Sequence, residues 1–272
     1  LGCEHLDITE VHGADALYEA DGIIAQSEAN ATALFGSQRT VFSTEGSSQC
    51  IRAMLYLALT NRPKGAKPVV VAARNVHKAF VYDCALLDLD VVWLAPEGDA
   101  RSLCSCRITA ETLERTLKAM DAPPCAVYLT SPDYLGGRAD IASLAQVCHA
   151  HGTILAVDNA HGAYLHFLES PVHPLDLGAD ICCDSAHKTL RVLTGGANLH
   201  IGKNAPADFA ENAKQAMALF GSTSPSYLIM ASLDLCNAML ADNFSTRLTD
   251  CVEKLNALRV ELAKNDWQVE ST

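Results

Sequence analysis

The sequence predicts an α/β fold in three αβα layers, a mostly parallel sheet of about seven strands packed between helices. Three observations lead there. Seven short runs are apolar without polar alternation, as strands covered on both faces are. Polar or glycine-containing turns follow them, and segments of helical periodicity come next, so strands and helices alternate along the chain. The 272 residues are 49% hydrophobic and 19% charged, with a mean hydropathy of +0.11. That balance supplies a large core and excludes intrinsic disorder.

The first periodic segment spans residues 21–36, where Ile23, Ile24, Ala31, Leu34 and Phe35 fall on one side and Gly36 stands at the C-terminal cap. Strand 39–43 turns through Glu45-Gly46-Ser47-Ser48 into a helix with Ile51, Met54, Leu55, Ala58 and Leu59 on its core face. Strands are expected at 68–73, 91–94 and 126–130. Asp140 is placed to cap helix 141–151, in which Ile141, Leu144, Ala145 and Cys148 repeat at helical spacing before Gly152. Strands 153–157, 180–184 and 197–202 complete the sheet, and long helices at 224–241 and 245–264 complete the chain. No repeat, low-complexity stretch or linker divides it, so one compact domain is expected.

Lys and Arg number 20 against 32 Asp and Glu, a net charge of -12. With no basic run to offset it, nucleic acid and anionic membrane are poor partners. No apolar run approaches the roughly 18 residues that span a bilayer, and residues 1–7 lack the basic head and apolar core of a signal peptide. The eleven cysteines are an odd number, scattered without paired CxxC spacing. They read as buried thiols in a reducing cytoplasm, with no metal site expected.

Chemistry-bearing residues gather at strand ends. The run Asp180-Ile181-Cys182-Cys183-Asp184 delivers Ser185, His187 and Lys188 to a turn, where open α/β sheets place their ligands. A lysine there is also an ordinary surface charge. The strand before it ends in Asp158-Asn159-Ala160-His161-Gly162. An acid at one strand exit and an amine at the next suit pyridoxal phosphate (PLP): the amine forms a Schiff base with the cofactor aldehyde, and the carboxylate keeps the pyridine nitrogen protonated. Asp158 alone also reads as a helix cap. Gly46-Ser47-Ser48 opens a helix whose free N–H groups, dipole and hydroxyls favour a phosphate, although Gly-Ser-Ser is ordinary turn chemistry as well. Neither GxGxxG nor GxxxxGK[ST] follows a strand, so a nucleotide fits less well. His77, in Arg74-Asn75-Val76-His77-Lys78, follows strand 68–73, where an imidazole can stack on a pyridine ring; a lone histidine is more often structural.

Together these segments resemble the PLP-dependent Orn/Lys/Arg decarboxylase family, of the aspartate-aminotransferase fold type. The resemblance runs from Leu6-Asp7-Ile8-Thr9-Glu10 through Arg74-Asn75-Val76-His77-Lys78, Leu129-Thr130-Ser131-Pro132 and Asp158-Asn159-Ala160-His161-Gly162-Ala163. It continues through Ser185-Ala186-His187-Lys188-Thr189-Leu190 to Ser222-Thr223-Ser224-Pro225-Ser226-Tyr227. It implies a PLP-binding large domain, with Lys188 as the Schiff-base lysine, Asp158 as the partner of the pyridine nitrogen, and His77 and Ala160 on opposite faces of the ring. Ser47, Ser48, Ser185 and His187 would hold the phosphate, with Gly46 and His161 also among the cofactor-binding residues. Thr223 would reach the phosphate of a neighbouring subunit in a homodimer or larger homo-oligomer. The implied activity is cytoplasmic decarboxylation of lysine, ornithine or arginine. The same anchors serve aminotransferases and other lyases, and a non-catalytic cofactor-binding or dimerisation module is a further reading. Asn159 stands where the family usually has Glu, and Ala79 where Ser commonly follows His-Lys. Residues 1–265 are expected to form the large domain, incomplete at its N-terminus, and 266–272 to begin a missing C-terminal small domain.

Overall fold

Alternate residues of the strands at 69–73, 126–130, 155–158 and 181–184 enter two different cores, and this parity organises the molecule. The computed structural model describes residues 2–8, 11–96, 104 and 106–265, so the expected start of a small domain at 266–272 lies outside the described residues. The sheet strands are β1 (Arg39–Ser43), β2 (Val69–Ala73), β3 (Asp90–Leu94), β4 (Ala126–Thr130), β5 (Leu155–Asp158), β6 (Ile181–Asp184) and β7 (Ala197–Ile201). Their order is β1-β7-β6-β5-β4-β2-β3. Val70, Ala72, Tyr128, Ala156, Ile181 and Cys183 face α2 (Ser47–Asn61), α3 (Lys78–Leu86) and α7 (Ala207–Ala218). Val71, Val127, Leu129, Leu155, Val157 and Cys182 face α4 (Ala110–Lys118) and α5 (Ile141–Ala150). The three-layer expectation therefore holds.

Expectations for one strand and the first helix need correction. Edge strand β3 is not covered on both faces: Val92 and Trp93 are 36% and 46% exposed, because only β2 flanks it. Ile23, expected on the core side of α1 (Ile23–Leu34), is 72% exposed, while Ile24 and Ala31 are buried. The sheet is parallel except at β7, which runs antiparallel to both β1 and β6. Only the one-turn α6 (Ala186–Thr189) and the turn at Gly195-Gly196 lie between β6 and β7, so the chain comes straight back.

Helix α2 is the central element of its layer. It buries Cys50, Ile51, Ala53, Met54, Leu55, Leu57 and Ala58 against the sheet, α3 and α7, each large side chain contributing about 1.5–3 kcal/mol. Helix α8 (Tyr227–Ala241) packs on α1 through Met230 and Leu233, capped by Ser226, whose hydroxyl accepts from Ile229 N. The helix begins at Tyr227, three residues after the expected 224, with Ser226 rather than Ser224 as its cap. Helix α9 (Phe244–Ala263) buries no residue. Among the described residues, no helix is long and apolar enough to cross a membrane.

Candidate active site at the strand ends

Strands β2, β4, β5 and β6 are mutually parallel, so their carboxyl ends open on the same side of the sheet. β1 joins them there because it and β6 both run opposite to β7. A cavity of about 420 Å3 lies at these ends, within the usual range for small-ligand sites. It is lined by Gly46, Ser47, Ser48, His77, Asp158, Ala160, His161, Ser185, His187 and Lys188. The cofactor residues expected from the sequence thus converge on one cavity, with the exception of Thr223. That threonine is exposed and outside the lining; its neighbour Ser222 donates its amide to Glu45, just before the Gly46 turn. A larger open cleft of about 840 Å3 beside α9 carries none of the expected residues.

At one end of the cavity, α2 starts at Gly46, whose φ of +76° suits glycine, and no side chain caps the helix. Its first N–H groups therefore remain available. The Gly46 amide donates to Gly195 O at 2.7 Å. Gly195 has a φ of +100°, and a Cβ there would meet Thr44 O at 2.6 Å, so the phosphate-type loop and the β7 turn pack backbone to backbone. Ser185 Oγ donates to Ser47 Oγ at 2.7 Å, joining the β6 end to the α2 start. His187 is tied to Gly196 O through its Nδ1 at 3.0 Å and its amide at 3.1 Å.

Asp158, the last residue of β5, is 2% exposed. Burial pushes its carboxyl above the ordinary range, against the pull of the Ala160 N–H, His77, Lys188 and Tyr128. Its Oδ1 accepts from Ala160 N at 3.1 Å and its Oδ2 from Tyr128 Oη at 3.3 Å. A buried carboxylate in this state gains most from a cationic N–H partner. Lys188 is exposed at the next strand end, with its Nζ 3.1 Å from His161 Nε2. Burial and the adjacent ammonium hold His161 below the ordinary imidazole range, so it accepts from Nζ as a neutral ring. His77 caps α3, its Nδ1 accepting from Ala79 N at 3.2 Å.

The donor set fits PLP: hydroxyls and a helix start for a phosphate, a buried acid for a pyridine nitrogen, and an accessible amine for an aldehyde. Two buried cavity-wall oxygens, Asn75 Oδ1 and Thr130 Oγ1, also lack a protein partner among the described residues. Sequence reasoning missed Tyr134, whose ring packs edge-on to His161 at 5.8 Å; its place two residues past Pro132 in the Thr130-Ser131-Pro132 turn was the available signal. It also missed Tyr128, which sits inside an apolar strand and offers no signal.

The family profile described as Orn/Lys/Arg decarboxylase, major domain, matches residues 4–272. An arginine decarboxylase of Halalkalibacterium halodurans is 31% identical over 88% of this chain and 47% of its own length. The chain spans about half the length of the curated relatives it matches. Among solved structures, lysine decarboxylase A from Pseudomonas aeruginosa superposes with a TM-score of 0.78 at 19% identity, over 95% of this chain and 36% of that one. A structure described as SPT with PLP gives 0.69 at 16% identity, over 96% and 62%. Because the family profile covers nearly every residue and the fold is shared, this chain belongs to the Orn/Lys/Arg decarboxylase family and carries its major domain.

Proposed function

We propose that this chain carries the cofactor site of a PLP-dependent decarboxylase acting on a basic amino acid, arginine, lysine or ornithine. The observation that carries the reading is Asp158, buried at the end of β5, and Lys188, accessible just past β6, on one cavity. The arginine and lysine decarboxylases among its relatives support the substrate class.

When bound, PLP would supply a ring that accepts the electron pair left on Cα as CO2 departs. Lys188 Nζ would hold the cofactor until the substrate amine takes its place. Asp158 would keep a proton on the ring nitrogen, and His77 would press on the ring face opposite Ala160. Ser47, Ser48, Ser185 and His187 would anchor the phosphate so that the ring cannot pivot. The freed Lys188 Nζ, held by His161, or His77 would return a proton to Cα. In a homodimer, Thr223 of one copy would serve the phosphate of the other.

The test is reconstitution with PLP. The native chain should develop the visible absorption of lysine-bound cofactor, and Lys188→Ala should lose it; a band that survives the substitution refutes the assignment. Feeding arginine, lysine or ornithine should release CO2. Keto-acid formation instead would indicate an aminotransferase, and an intact band without turnover would indicate a cofactor-binding module.

A further inference from the structure

Tyr128 is fully buried in β4, in the otherwise apolar run Ala126-Val127-Tyr128-Leu129. Its ring packs on Phe80 with centroids 4.4 Å apart, and Phe80 packs edge-on to Trp93 at 6.1 Å. This aromatic wall fixes where the hydroxyl points. Tyr128 pairs with Ala156 in the β4–β5 register and Asp158 with Cys183 in the β5–β6 register. Tyr128, Asp158 and Cys183 therefore share the sheet face that looks toward α2. Tyr128 Oη donates to Asp158 Oδ2 at 3.3 Å, while Oδ1 takes the Ala160 N–H at 3.1 Å and lies 3.8 Å from the Cys183 thiol. Asp158 lines the cavity; Tyr128 does not, and supports it from the protein side.

We propose that Tyr128 is a positioning residue for Asp158, donating to Oδ2 so that the carboxylate stays ionised and oriented toward the cofactor's ring nitrogen. The proposal rests on the PLP reading of the cavity. A carboxylate this deeply buried favours its neutral form unless donors stabilise the charge. A neutral Asp158 would leave the ring nitrogen without its proton. Phenylalanine would fill the same space against Phe80, so packing alone does not call for the hydroxyl. A buried hydroxyl without an acceptor would itself be destabilising, and Asp158 Oδ2 is the acceptor this one finds.

The experiment uses the full chain reconstituted with PLP labelled with 15N in the ring, reading the nitrogen resonance and the PLP Kd. In Tyr128→Phe the resonance should move toward the unprotonated position and Kd should rise about tenfold. In Asp158→Asn, adding Tyr128→Phe should change Kd no further. Replacing Tyr128 with 3-fluorotyrosine strengthens the donor while keeping the packing, and should move the resonance the opposite way; this arm decides the matter if Tyr128→Phe does not fold. An unchanged resonance and Kd in Tyr128→Phe, fully additive losses in the double variant, or no response to the fluorinated phenol would overturn the proposal. If the native chain itself binds no PLP saturably, the cofactor reading fails first and the proposal falls with it.

Discussion

Two aspartates at the ends of paired strands meet opposite fates, and their donors explain why. Burial raises the proton affinity of Asp158. Asp184 is equally buried, and burial is again the largest influence, but the two imidazoles beside it together outweigh that cost and hold its carboxyl well below the usual range. His173 Nε2 and His200 Nε2 each lie 3.2 Å from its oxygens, and Asn159 Nδ2 donates at 2.6 Å. Leu175 N–H donates to His173 Nδ1 at 3.3 Å, which places the ring proton on Nε2, facing Asp184. The three side chains lie close enough to ligate a cation, yet this arrangement already closes on itself through protons. Asn159, where the family usually has Glu, is thus matched to an acceptor at Asp184. Asp184→Ala should leave three buried donors unpaired and cost about 3–5 kcal/mol. Because the folded pKa is depressed, the contribution is complete above the unfolded value of about 3.9 and is lost as pH falls toward the folded one. Urea unfolding at pH 7 and near pH 3 should show the gap between native and variant narrowing on acidification; a constant gap would mean that Asp184 is not ionised.

At the scale of elements, the start of α1 shows what local signals miss. Gly22 occupies the N-cap position and offers no side chain. Asp15, seven residues upstream, instead accepts from Gly22 N at 3.1 Å and Ile24 N at 2.8 Å through Oδ2, and from Ala16 N and Asp21 N through Oδ1. Burial works against its ionisation most strongly, but the four backbone donors together hold the carboxyl below its ordinary range. Asp15→Ala should lower stability by about 1–2 kcal/mol. The effect should be full above pH of about 4 and fade as pH falls through the depressed folded pKa, which thermal unfolding across pH 3–7 would reveal as converging Tm values. A cap such as Asp140, which accepts from Ser143 N at 3.2 Å, is legible because donor and acceptor are three residues apart. Asp15 is not, since a closed loop intervenes and Asp21 sits where a local cap would stand. The direction of β7 is illegible for the same reason: it follows from how the chain turns at Gly195-Gly196, not from the apolar run itself.

For the whole molecule, strand ends made the site readable: His77, Asp158 and Lys188 each stand just past or at the end of an apolar run, where side-chain chemistry contrasts with the strand. What the sequence hides are partners fixed across the sheet, Tyr128 for Asp158 and His200 for Asp184, because neither breaks the local pattern. The cysteines were legible as small hydrophobes, and seven of the eleven are buried. Burial pushes the Cys84 and Cys148 thiols up to about 12 and Cys236 to about 11, so these groups carry almost no reactive thiolate near pH 8. Exposed Cys251 on α9 should label with a thiol reagent at once, and the buried set only through opening of the fold. Cys50 and Cys84 lie in the core under α2, Cys148 in the core under α5. Since β2, β4, β5 and β6 contribute to both, the two cores should open together, and all three cysteines should label at one rate. PLP at about 100 times its Kd should then slow that rate about a hundredfold, the population shift expected for a ligand that binds only the folded state. Residue-resolved mass spectrometry of the labelling would check this, and fast labelling of Cys148 that PLP leaves untouched would show that the α4–α5 layer opens independently of the candidate site.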